Sequence, residues 1–123
     1  MAIISSSDLV QYKNNQLVIE KVAVQIQKDF QLYDEKIEFS GKQESAYDEL
    51  FLQIKPIILR MLELDSGRFF ALLYAIDVDE TKVKTVLFGK EQTDVATELT
   101  HLILERELLK VITRQLFSQQ SNI

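Results

Sequence analysis

The residues best equipped for chemistry cluster in the C-terminal third. His101 is the chain's one histidine, with Glu98 three residues before it and Glu105 four after. On a helix this spacing puts all three on one edge, and carboxylates with an imidazole form a donor set for a divalent cation. The bland alternative is a boundary histidine between two surface acids. Arg106 is the second unusual residue. On a helical wheel it falls in the middle of a stripe made by Val95, Leu99, Leu102, Ile103, Leu109, Leu116 and Phe117. A guanidinium there must snorkel, pair with a carboxylate or hold an anion. Arg106 is therefore the ligand candidate, as the arginine of a bundle pocket for an anionic small molecule.

Glu98-Leu99-Thr100-His101 resembles the Glu-x-x-His element of di-iron carboxylate bundles. That resemblance implies two such elements and two further glutamates around a metal pair. With one histidine, only a two-fold dimer could assemble them. The expectation is therefore no metal or cofactor, with Glu98, His101 and Glu105 as the residues to watch. Asp77-Val78-Asp79-Glu80-Thr81 resembles the nucleophile loop of haloacid-dehalogenase-type phosphatases, in which the first Asp takes the phosphoryl group and the second acts as acid and base. The resemblance implies a strand ahead of the loop and an α/β sheet around it. Only 42 residues follow Thr81, and they read as helix. As a calcium loop the same stretch has Lys82 where the turn glycine belongs and Phe88 where the bidentate glutamate belongs. No Gly-x-Ser-x-Gly elbow and no glycine-rich phosphate loop is present. The chemistry leans away from an enzyme.

The elements that would position these residues read as helices. Ser5-Ser6-Ser7-Asp8 offers N-cap oxygens, and Asn14-Asn15 marks a turn or a cap. Ile19, Val22, Ala23, Ile26, Phe30 and Tyr33 then recur on one helical face. Ser40 with Gln43 has capping-box spacing, Ser45 with Asp48 is its rival, and a broadly apolar helix follows from about Gln43 to Leu64. Pro56 predicts a kink or a break in it. Asp65-Ser66-Gly67 reads as a stop, with Gly67 as a left-handed C-cap.

The apolar run 69–76 fits a buried helix or a buried strand. Phe69, Leu72, Leu73 and Ile76 have helical spacing, and the absence of Val and Thr favours helix. Asp77 caps a short helix with Val83, Val86 and Leu87 inward, a strand over 83–88 being the minority reading. Thr93 or Asp94 caps the last helix, which runs to about Phe117 ahead of a frayed tail, 118–123. That helix carries a second apolar set, Leu104, Leu108, Val111 and Ile112, on roughly the side opposite the stripe of Arg106. An outer helix of a bundle needs one apolar stripe. The second set marks either an interface or a helix central to the fold.

The chain has 123 residues, 46% of them apolar, with 3 Gly, 1 Pro, no Cys and no Trp. It can bury a core, it has no disulfide, and it lacks the turn residues of a β-sandwich. The reading is an all-α, single-domain bundle over 1–123, with four or five helices, mostly antiparallel. The net charge is −5, and the segment Asp29–Glu49, with seven acids against Lys36 and Lys42, carries an excess equal to all of it. This argues against nucleic acid and for a solvated turn or a basic protein partner. No segment is long and apolar enough for a membrane span, and Met1–Ser7 lacks a signal peptide's pattern, so the expectation is cytoplasmic. The best functional reading is a small protein–protein interaction or oligomerisation module. It would be a dimer in its simplest form, with Leu104, Leu108, Val111 and Ile112 as interface candidates. The alternative is a bundle that binds an anionic ligand around Arg106.

Overall fold

The computed structural model describes residues 15–89 and 94–121, with side chains as far as 117. Five helices and no strand make up these residues: α1 (Gln16–Gln31), α2 (Ala46–Leu64), α3 (Ser66–Ile76), α4 (Glu80–Phe88) and α5 (Val95–Ser121). The all-α bundle expected from the sequence is the observed fold. The caps proposed at Ser5–Asp8 lie outside the described residues, as does Thr93. The tail 118–123 was expected to fray, yet α5 continues through Ser121.

The helix starts follow from short polar side chains that satisfy otherwise unpaired backbone donors. Asn15 caps α1 by accepting from the Val18 N–H. Lys55 Nζ lies 2.8 Å from Asp94, which also accepts from the hydroxyl and the N–H of Thr97, and together these hold its carboxyl down at about 2. Three expected signals resolve differently. Ser40 does not cap α2; its hydroxyl and N–H both donate to Glu49, tying the 35–45 connection back onto the helix it precedes. Gly67 does not end a helix but lies in the first turn of α3, because Asp65 caps that helix by accepting from Arg68 N–H. Asp77 is not the cap of α4. It closes α3 in the left-handed conformation, φ 68°, and Asp79 caps α4 through Thr81 and Lys82.

α2 passes Pro56 as one helix. Pro56 lacks the N–H that would bond the Leu52 carbonyl. Both residues face solvent, where water can satisfy that carbonyl, so no break is needed. The 69–76 run is helical, with Phe69, Leu72, Leu73 and Ile76 buried, and 83–88 is helical as well.

α5 is the axis of the fold, about 40 Å long at 1.5 Å per residue, and it packs against each of the other four helices. Its buried face is Ala96, Leu99, Thr100, Ile103, Leu104, Glu107, Leu108, Val111 and Ile112. These positions repeat at three and four residues, the period of a core-facing helix. The expected stripe centred on Arg106 is therefore turned by about one residue, or 100°. Leu104, Leu108, Val111 and Ile112 belong to the chain's own core and are not interface residues. Of the two origins proposed for the second apolar set, the central helix is the observed one.

Leu72→Ala and Leu73→Ala should each cost about 2–5 kcal/mol in urea unfolding, whereas Phe70→Ala should cost less than about 1 kcal/mol. Two sensitive neighbours beside a tolerant one are the signature of helix phase at this run.

Candidate functional site

Glu107 is the one charged side chain buried outright among the described residues, at 0% exposure. It sits on the inner face of α5 between Ile103, Leu104, Leu108 and Val111 in the sequence. Lys110 Nζ lies 2.5 Å from its Oε1 and 3.1 Å from Asp29 Oδ2 of α1. Lys110 and Asp29 are themselves nearly covered. The Lys110–Glu107 approach is a close contact without an aligned hydrogen bond to either Glu107 oxygen. Burial, helped by the neighbouring Asp29, outweighs the lysine and pushes the Glu107 carboxyl up to about 8. At neutral pH the side chain is therefore mostly a protonated acid. The network continues outward. Gln25 donates to Asp29 Oδ1 at 3.1 Å, and Arg114 donates to Gln25 at 2.8 Å. Sequence reading passed over Glu107, although the apolar residues at −4, −3, +1 and +4 around it carried the signal.

Arg106 points away from this core. Its side chain is 29% exposed, and it donates to Asp77 Oδ2 at 2.9 Å. Asp77 lies in the turn after α3 and is 81% exposed, so the pair is not a buried one. Arg106 lines a recess of about 420 Å³ with Lys82, Asp77, Asp79 and Glu105. Three carboxylates against two cations oppose an anion there; Asp77 engages Nη2 of the guanidinium, while its Nε is buried with no hydrogen-bond partner. The Asp77–Thr81 loop joins two helices rather than leaving a strand, so the phosphatase-like context is absent.

Glu98, His101 and Glu105 are not brought together as a ligand set. The described residues contain no group of three or more His, Cys, Asp or Glu side chains that could hold a metal ion. The His101 ring instead stacks on Tyr47 of α2, centroids 5.8 Å apart, and tilts against Phe51 at 4.9 Å. The Tyr47 hydroxyl lies 2.5 Å from His101 Nδ1. Burial and the charges of Glu105 and Asp48 raise the Tyr47 phenol to about 12, so it keeps its proton at neutral pH. His101 thereby joins α2 to α5.

An apolar surface that the fold leaves open lies between α3 and α4. A groove of about 480 Å³ runs between Phe70, Leu73 and Tyr74 on one side and Val83, Leu87 and Phe88 on the other. Tyr74 is 84% and Phe88 79% exposed, and half of Phe70 is open. Buried Val78 fixes the turn at the groove's end, where Asp77 and Val78 both donate to the Leu73 carbonyl. None of these residues was singled out from sequence as surface. Phe70 and Tyr74 merge there into an unbroken apolar run, and only the helix phase sends them outward. Comparison with family models, curated proteins and solved structures gives no match.

Two outcomes follow from these geometries. Glu107 binds its proton more tightly folded than unfolded, so this group favours the folded state below about pH 4.5 and loses that contribution as pH rises through about 8. Glu107→Gln should raise the urea midpoint at pH 8 and flatten the stability profile between pH 5 and 8. Asp77→Asn keeps a residue tolerant of the left-handed turn and removes the Arg106 pair, which should change unfolding free energy by less than about 1 kcal/mol.

Proposed function

We propose that the protein is a small helical interaction module whose docking face is the α3–α4 groove. The observation that carries this reading is the cluster of Phe70, Tyr74 and Phe88, three aromatic rings on adjacent short helices, outward-facing around one groove. Aromatic side chains bring large apolar area at low entropic cost and dominate the energetics of protein interfaces. None of the three is needed to complete the core, which Phe69, Leu72, Leu73, Ile76 and Val83 fill from the same helices. The groove has no convergent polar groups of the kind that orient a small substrate. Asp77, Glu80 and Lys84 sit along it as a polar rim.

The simplest form is self-association, in which a two-fold axis sets the groove of one copy against that of another. Burying these rings would cover the apolar surface that the monomer leaves open. Sedimentation velocity tests this directly. The wild-type chain should show a concentration-dependent dimer, and Tyr74→Glu with Phe88→Glu should sediment as a folded monomer with unchanged helical circular dichroism. A photo-crosslinker at position 74 should join copy to copy, or join the chain to one defined protein. A wild-type monomer at every concentration, with no crosslinked product from position 74, would refute the reading.

A further inference from the structure

A second groove, of about 630 Å³, lies between α1 and α5 on surface that the α3–α4 reading does not use. Leu17, Lys21, Val24 and Lys28 line it from α1. Their spacing of four, three and four residues makes one continuous ridge along that helix. The ridge is outward-facing. Leu17 and Val24 are more than half exposed, while α1 buries Val18, Ile19, Val22, Ala23, Ile26 and Phe30 on its other side. Val111 and Arg114 contribute from α5. The groove thus alternates apolar and cationic positions over about 16 Å, or three helical turns.

Its charge is opposite to that of the chain. Lys21, Lys28 and Arg114 face Glu20 alone, in a protein of net charge −5. Among the described residues neither Lys21 nor Lys28 has an ion-pair partner, and Arg114 donates to the neutral Gln25. Glu20 is itself occupied by Gln16. The α1–α5 groove therefore offers spare cations around an apolar floor, and its length matches three turns of a helix.

We infer that the α1–α5 groove docks an acidic amphipathic helix of a partner protein, with apolar side chains seated beside Leu17 and Val24 and carboxylates paired with Lys21, Lys28 and Arg114. Helix-in-groove recognition uses this combination of apolar anchors at one-turn spacing and complementary rim charge. A nucleic acid is the poorer fit. Its affinity grows with the number of phosphates neutralised, and here three cations are set in an otherwise repelling surface.

The test uses the full chain and two fluorescent helical peptides of about 18 residues, long enough to hold helix in water. Both carry the same leucine stripe, flanked by Glu in one and by Lys in the other. The Glu peptide should bind, and the Lys peptide should bind at least about tenfold more weakly. Raising salt from about 50 to about 500 mM should weaken the Glu peptide, as screening of rim charges requires. Lys21→Glu with Lys28→Glu should reverse the preference between the peptides, and Leu17→Ser with Val24→Ser should weaken both. Tyr74→Glu with Phe88→Glu should leave peptide binding intact, which separates this site from the α3–α4 groove. No binding of the Glu peptide, equal binding of the two peptides, an unchanged preference after charge reversal, or tighter binding to single-stranded DNA or anionic vesicles would each overturn the inference.

Discussion

A carboxyl group enclosed in the core constrains much of this structure. Glu107 is fully covered on the inner face of α5, where a leucine would otherwise be expected. Burying a carboxylate without partners is costly enough that the group either pairs or takes up a proton. Here it does some of each. Lys110 approaches from one turn further along α5, Asp29 anchors that lysine from α1, and burial raises Glu107 to about 8. The arrangement works in one register of α1 against α5. A sliding of α1 by one turn would keep apolar residues in apolar surroundings but would take Asp29 away from Lys110. Apolar packing holds the two helices together, and the buried acid with its lysine selects how they meet.

The central position of α5 has a second consequence. A helix that packs against four others needs neighbours along the whole of its buried face, and α1 to α4 supply them, while His101, Glu105 and Arg114 stay exposed on its outer side. Two of those neighbours are short, α3 with 11 residues and α4 with 9. They reach the core with few side chains, α4 with Val83 alone fully buried. Helices that spend so little of their surface on the core depend on their ends being fixed. The Asp77 turn, the buried Val78 and the Asp79 cap supply that fixing within three residues.

How much of this could be read from sequence depends on how strongly the side chains agree with one another. α1 was legible because every buried position is apolar and the polar residues fall elsewhere. The helix at 69–76 was legible from Phe69, Leu72, Leu73 and Ile76, whose spacing no strand reproduces. The phase of α5 was not. Thr100 and Glu107 both lie on its buried face, seven residues apart, and both break the apolar pattern there. Thr100 is accommodated because its hydroxyl donates to the Ala96 carbonyl, and Glu107 because of Lys110 and its proton. Without knowledge of those local solutions, the wheel settles on the next-best stripe and puts Arg106 at its centre. Gly67 and Ser40 misled for a related reason. Asp65 starts a new helix through Gly67 by accepting from Arg68 N–H, and Ser40 donates to Glu49 instead of capping α2.

The candidate surfaces were less legible than the core, and the cause is the same helix phase. Phe70 and Tyr74 belong to a run that reads as uniformly buried, and Leu17 and Val24 are interleaved with core residues of α1. Only when the buried face of each helix is fixed do these side chains stand out as surplus. Single exposed apolar residues are ordinary on a protein surface. Phe70, Tyr74 and Phe88 form a cluster across two elements, and Leu17 and Val24 a ridge framed by Lys21, Lys28 and Arg114. Tyr74, Phe88, Leu17 and Val24 are each more than half exposed, so the core does not require them to be apolar. A central α5 already satisfies the inner faces of α1, α3 and α4, so internal packing does not account for the apolar residues on their outer faces. The surplus is therefore the part of this sequence that folding alone leaves unexplained, and the two grooves are where an account based on binding must begin.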